Sequence, residues 1–183
     1  MSESHDQPRR FIKTEDGSVL DESGRVLYFS VERFIRDICE GDCCFICGVS
    51  PSQAEFNDEH VHPKWVLKKF DLFDKRIGLP NDSDFRYGSY TIPCCKSCNS
   101  QMGLTFETPI SQLVEQKFNA VSKYMVDKGP WLLFMWLNLI FIKAHLKDKS
   151  LRLHKDRRKP DDRISDYYTW EDLHHIHYVS RSF

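Results

Sequence analysis

The sequence predicts an α+β fold in which small strands and short helices are braced from within. Three observations carry that expectation. Two Cys-x-x-Cys pairs, Cys44/Cys47 and Cys95/Cys98, have 47 residues between them, and all seven cysteines fall between Cys39 and Cys98. Short apolar runs separated by turn residues occupy much of the first half of the chain, as strands do. Apolar residues at helical spacing dominate the second half. At 183 residues the chain suits one compact domain with elaborations.

Met1 to Arg10 is polar, is expected to be disordered, and carries no apolar leader. Phe11 to Phe29 reads as a hairpin, with Asp16-Gly17 and Ser23-Gly24 as turn signals. Ser30 suits the N-cap of a helix over Val31 to Cys39, where Val31, Phe34, Ile35 and Ile38 fall on one face. Phe56 to Val61 reads as a strand ending at Pro63. Proline fits the first turn of a helix, so a helix is expected from Lys64 to Phe73. Residues 77–84 are rich in Gly, Pro, Asn and Asp and predict a loop. Phe85 to Ile92 reads as a second strand, and the second cysteine pair should turn into a helix near Asn99. Ser111 to Val126 reads as one helix ended by Gly129-Pro130, and an apolar helix over Trp131 to Ile142 follows. At about 12 residues that helix is too short for a bilayer, which needs roughly 20. No membrane is therefore expected, and the segment is either core or the contact for a homodimer or protein partner. Lys155 to Arg163 reads as a polar linker, and Trp170 to Tyr178 as a closing helix or strand. The chain divides on this reading into an N-terminal extension (1–40), a cysteine-stapled core (41–110) and a mainly helical extension (111–183).

Net charge is −1, so no global field announces a polyanion partner. Residues 143–163 are the exception, with nine basic and four acidic groups, net +5. Lys143, Lys147, Lys149, Arg152, Lys155, Arg157, Arg158, Lys159 and Arg163 form a reserve for gripping phosphates, or else a solvated charged loop. Seven clustered cysteines do not suit a secreted disulfide scaffold, so a reducing, cytoplasmic setting with bound metal is expected.

Each Cys-x-x-Cys can give two thiolates to a tetrahedral zinc, which takes four ligands. The doubled Cys43-Cys44 and Cys94-Cys95 leave the register open, though the spacing favours Cys44 and Cys95; Cys39, Cys43 and Cys94 read as buried spares. Between the pairs lies Asn57-Asp58-Glu59-His60-Val61-His62-Pro63-Lys64-Trp65. Carboxylate and amide oxygens are hard ligands that suit Mg²⁺. A neutral histidine beside them can take a proton from water. Glu59, His60 and Asn99 thus cover the needs of phosphodiester hydrolysis.

Taken together, C-x-x-C, E-H-V-H-P-K-W and C-x-x-C-N resemble the zinc-stapled HNH (ββα-metal) endonucleases, over roughly residues 44–107. The resemblance implies an HNH core with Cys44, Cys47, Cys95 and Cys98 on a structural zinc. It implies Glu59 and Asn99 as ligands of a catalytic Mg²⁺ or Mn²⁺, and His60 as general base. His62, Lys64 and Lys96 are candidates to touch substrate, which is expected to be nucleic acid, with DNA first. The family's histidine-orienting asparagine has no clean counterpart; Asn81 is nearest, and Asp58 could compete with Glu59. Glu107 could orient His60 or a lysine. Asp172, His174, His175 and His177 form a further possible metal cluster. The rival reading is a non-catalytic zinc module that binds nucleic acid or protein. A toxin or phage-defence effector would use the same nuclease chemistry.

Overall fold

The computed structural model describes residues 10–79 and 81–167. Its first strands are set by two tight turns. Gly17 and Gly24 take φ of +84° and +83°, where a Cβ would be strained. The turns divide the stretch into β1 (Ile12–Lys13), β2 (Val19–Leu20) and β3 (Val26–Tyr28), an antiparallel sheet. Two turn signals thus give three strands where one hairpin is expected. Ser30 caps α1 (Val31–Phe34), its Oγ accepting from the Arg33 N–H at 3.1 Å. The helix runs on as a π turn that buries Ile38 and Cys39.

The central unit is β4 (Phe56–His60), paired antiparallel with a later strand, β7 (Thr91–Cys95). Between them lie α2 (Lys64–Lys69), β5 (Arg76–Gly78) and β6 (Asp84–Arg86). Pro63 sits immediately before α2, which stops short of Phe73; Asp71 beyond it takes φ of +51°. The expected loop at 77–84 is instead a hairpin, β5 against β6, with Arg76 ion-paired to Asp84. Phe85 therefore faces Ile77, and the partner of β4 starts only at Thr91. The single strand expected over 85–92 is therefore divided between two pairings, because alternation identifies a strand but not its partner.

β7 passes directly into α3 (Lys96–Met102), capped by Cys95 rather than beginning at Asn99. A π turn, Gly103–Glu107, leads into α4 (Thr108–Val114). The helix expected over 111–126 is broken after Val114 and resumes as α5 (Phe118–Lys128). Gly129, at φ +79°, ends α5, and α6 (Trp131–Lys149) follows. α6 outruns its apolar part because Lys143 to Lys149 are helix-compatible residues and the last-turn lysines favour the carbonyl end. Among the described residues no single helix is long and apolar enough to cross a membrane; α5 and α6 together would pass by composition but meet at 101°.

One buried cluster joins all three blocks: Ile38 from the first, Phe45, Val61, Tyr90, Ile92 and Met102 from the second, and Leu139 from α6. Residues 170–178, with the histidines at 174, 175 and 177, lie outside the described residues.

Candidate metal centre and the Glu59–His60 pair

Two knuckles bring four sulfurs together. At the first, the Cys44 N–H donates to Val49 O and the Gly48 N–H to Cys44 O, both at 2.8 Å. Gly48 takes φ of +72°, and a Cβ there would meet the Phe29 ring at 2.9 Å, so only glycine closes this turn. At the second, the Cys98 N–H reaches Cys95 Sγ at 3.5 Å. The sulfurs of Cys44, Cys47, Cys95 and Cys98 all lie within 4.8 Å of one another. Cys47 Sγ and Cys95 Sγ are 3.8 Å apart. A zinc tetrahedron with bonds of about 2.3 Å has edges of about 3.8 Å. The thiolate register is therefore Cys44 and Cys95, and the donor set fits zinc. Among the described residues no other group of His, Cys, Asp and Glu is drawn together in this way.

Of the spare thiols, Cys39 and Cys94 are buried, while Cys43 is only half-buried. Cys94 Sγ stands 3.8 Å from Cys44 Sγ. The Cys44 thiol is pulled down to about 4, first by the Cys94 thiol and then by backbone N–H groups of Cys95, Cys47 and Ile46, against its burial. Cys94 is pushed up correspondingly, by that same contact and by burial.

Cys95, opposite Phe56, joins the clasp to one end of the β4–β7 ribbon and to the start of α3; the candidate site lies toward the other end. Glu59 lies opposite Ile92, and His60 opposite Thr91. Both are buried, 8% and 9% exposed. Glu59 Oε1 accepts from Lys143 Nζ at 2.8 Å. The same ammonium donates to the His60 carbonyl at 2.9 Å and lies 3.8 Å from Glu107 Oε1. Glu107 is held above the ordinary carboxylate range, chiefly by burial, and Oε1 has no hydrogen-bond partner among the described residues. Glu107 thus faces a lysine, as one of its two expected roles required. Asn99 Nδ2, on α3, donates to Asn57 Oδ1 at 2.8 Å, across to β4. Residues 57 and 59 are two apart on this strand and point to one side, so Asn99 is tied to the Glu59 face.

His60 packs edge-on to Phe73, ring centres 6.0 Å apart. Its imidazole is held below the ordinary histidine range, first by burial and then by Lys64, with Glu59 and the Gly88 backbone opposing. Its Nδ1 is buried without a hydrogen-bond partner among the described residues. Gly88 supports this ring by close approach to Phe73: its N–H donates to Phe73 O at 3.0 Å, and a Cβ there would sit 2.8 Å from Phe73 Cδ1. The backbone beside the His60 ring is that of Gly88, and the side chain of Asn81 is engaged elsewhere. That side chain donates to Arg152 O at 2.6 Å and accepts from the Ser83 N–H at 3.1 Å.

The other candidates are dispersed. His62 falls past the end of β4 and packs edge-on to Tyr87 at 5.0 Å. Lys64 is exposed at the start of α2. Lys96 is ion-paired with Glu55. Asp58 is exposed, opposite Pro93.

The basic stretch is partly spent inside the molecule. Lys143 is 1% exposed. Lys147 Nζ stands over the rings of Phe85 and Tyr90, at 5.9 and 6.0 Å. Lys149 Nζ donates to Ile38 O at 2.9 Å and Gly41 O at 3.0 Å. Arg152 and Arg163 pair with Asp161, and Arg158 with Asp156. Lys155 donates to Asp82 O. Lys143, Lys147, Lys149 and Arg152 are thus engaged within the fold, while Lys155, Arg157, Arg158 and Lys159 are exposed, as in a solvated charged loop.

Sequence reasoning missed Lys143, Gly88 and Asn57 as parts of this site. Lys143 had one signal, a lone charge directly after an apolar run of helical residues. No known protein family, curated protein or solved structure matches the chain.

Proposed function

We propose that the chain is a zinc-braced endonuclease of the HNH kind, hydrolysing phosphodiester bonds in nucleic acid, with DNA the expected substrate. The observation that carries this reading is His60: a buried, depressed imidazole with an unpartnered Nδ1 among the described residues, at the end of β4 directly after Glu59. Such a ring is neutral near pH 7 and able to accept a proton, the first requirement of a general base. In this reading His60 takes a proton from the attacking water. The Gly88–Phe73 contact keeps the ring in place while it does so. Lys64, exposed nearby, favours the neutral ring and adds positive potential for an approaching phosphate.

The donor chemistry fits a hard divalent ion. Lys143 engages only Oε1 of Glu59, and Asn99 uses only Nδ2, which leaves an oxygen on each. These two residues would hold Mg²⁺ or Mn²⁺. When bound, such an ion neutralises charge on the scissile phosphate and on the leaving oxygen. The family resemblance implies products with a 5′-phosphate and a 3′-hydroxyl. Zinc on the four cysteines contributes folding free energy and no chemistry.

The test is plasmid nicking in Mg²⁺ or Mn²⁺. Wild type should cut, EDTA should stop it, and His60→Ala should be inactive. Equal cutting by both proteins rejects the assignment.

One observation favours a second reading, a zinc-braced binding module without catalysis. The Glu59 charge is already answered by Lys143. A pure binder would keep its affinity for nucleic acid or protein unchanged in Glu59→Gln and would cut nothing.

A further inference from the structure

We propose that Lys143 is a positioning residue that clamps the Glu59–His60 pair, so that Glu59 presents its other oxygen to a divalent ion. It rests on the nuclease reading above. Among the described residues Lys143 is the largest fully buried side chain, at 1% exposed. A lysine is almost never buried unless something specific holds it. Its ammonium has three N–H donors and no acceptor. One goes to Glu59 Oε1 at 2.8 Å and one to the His60 carbonyl at 2.9 Å. Glu107 Oε1, otherwise unpartnered, lies 3.8 Å away. The two firm acceptors belong to consecutive residues. A single cation therefore fixes the carboxylate of one and the backbone that aims the ring of the next.

The clamp reaches β4 from α6, 84 residues along the chain. It ties the pair to the helical extension rather than to the cysteine clasp. The extension, expected to supply core, a partner contact or a phosphate-gripping stretch, thereby holds the Glu59–His60 pair.

Two simpler roles give different signs. A plain counter-charge lowers the affinity of a nearby divalent cation, so its removal tightens binding. A purely structural lysine changes the melting temperature and leaves the affinity of the folded protein alone. A clamp, once removed, lets the carboxylate swing and weakens binding.

The measurement is Mn²⁺ binding to the zinc-loaded, full-length protein, followed by the EPR signal of free Mn²⁺. In Lys143→Met the Kd should rise about 10- to 100-fold, as when an outer partner of a metal ligand is lost. In plasmid nicking kcat should fall by a similar factor, with KM for DNA within about three-fold of wild type. Lys143→Arg keeps charge and donors and should return both values to within about ten-fold of wild type. Tighter or unchanged Mn²⁺ binding in folded Lys143→Met overturns the clamp. If the methionine variant does not fold, Lys143→Gln, with an uncharged donor, carries the same reading. A wild type that binds Mn²⁺ but cuts no nucleic acid rejects the nuclease reading, and the clamp then stands or falls on the Mn²⁺ isotherms. A wild type that binds no more Mn²⁺ than Glu59→Gln overturns both.

Discussion

The cysteine clasp and the Glu59–Lys143 pair are both buried knots of ionisable groups, and they are satisfied in opposite ways. The clasp gathers four sulfurs within 4.8 Å of one another, a donor set that could hold a metal ion such as zinc. The Glu59 site holds its own cation, a lysine delivered by α6. One knot suits an added ion, whereas the other is answered by a side chain of the protein itself.

Breaking the clasp should give the largest effect. Structural zinc contributes roughly 10 kcal/mol or more in small metal-dependent folds, comparable to the whole stability of a domain at about 5–15 kcal/mol. Cys47→Ser, or strong chelation of wild type, should abolish a cooperative thermal transition and bring bound zinc by elemental analysis close to zero. A variant that melts like wild type contradicts the four-sulfur assignment.

Breaking the second knot should cost less. Lys143→Ala strands a buried carboxylate, which typically costs about 3–5 kcal/mol. Urea denaturation should read that loss. Removing both charges, with Lys143→Met and Glu59→Gln together, should recover most of it, because an apolar replacement for a buried pair is often neutral. Failure of the double variant to recover means that the lysine stem, rather than the ion pair, holds this region.

A milder break is Gly88→Ala. The added methyl would lie 2.8 Å from Phe73 Cδ1, and crowding of this kind costs about 1–3 kcal/mol. Because Phe73 packs on His60, cleavage should fall more than stability does. Loss of stability with unchanged cleavage would remove Gly88 from the support of the histidine.

The smallest expected effect is on pH dependence. His60 and His62 are both held below the ordinary histidine range, chiefly by burial. The unfolded chain then takes up protons at a higher pH than the folded one. Their contribution is intact above the unfolded value of about 6.5 and is lost as pH falls through the lower folded values. The urea midpoint should drop between pH 7 and pH 5, and the drop should shrink in His60→Gln with His62→Gln. An unchanged drop would assign the pH sensitivity elsewhere.

The clasp was legible in the sequence because its ligand spacing is local: each pair sits on one turn of chain, and sulfur needs no distant partner to declare itself. Ser30 as a cap and Pro63 before a helix were legible for the same reason. The partner of β4 was not. Phe85 and Thr91 both begin plausible strands, and only three-dimensional pairing separates β6 from β7. Which lysines of the basic stretch turn inward was not legible either, because charge along a sequence does not say which side faces water. Lys143, Lys147 and Lys149 lie on α6 and turn toward β4, the Phe85 and Tyr90 rings, and the end of the first helical segment.

The sequence by itself determined the four-cysteine clasp, the Ser30 cap, the helix after Pro63 and the adjacency of Glu59 to His60. Tertiary structure decided which strand β4 pairs with, that Gly88 and Phe73 back the histidine, and that a lysine 84 residues away answers Glu59. The physical reason is range. Ligand spacing and capping act within one turn of chain, whereas burial and charge pairing depend on which surfaces meet only after the chain has folded.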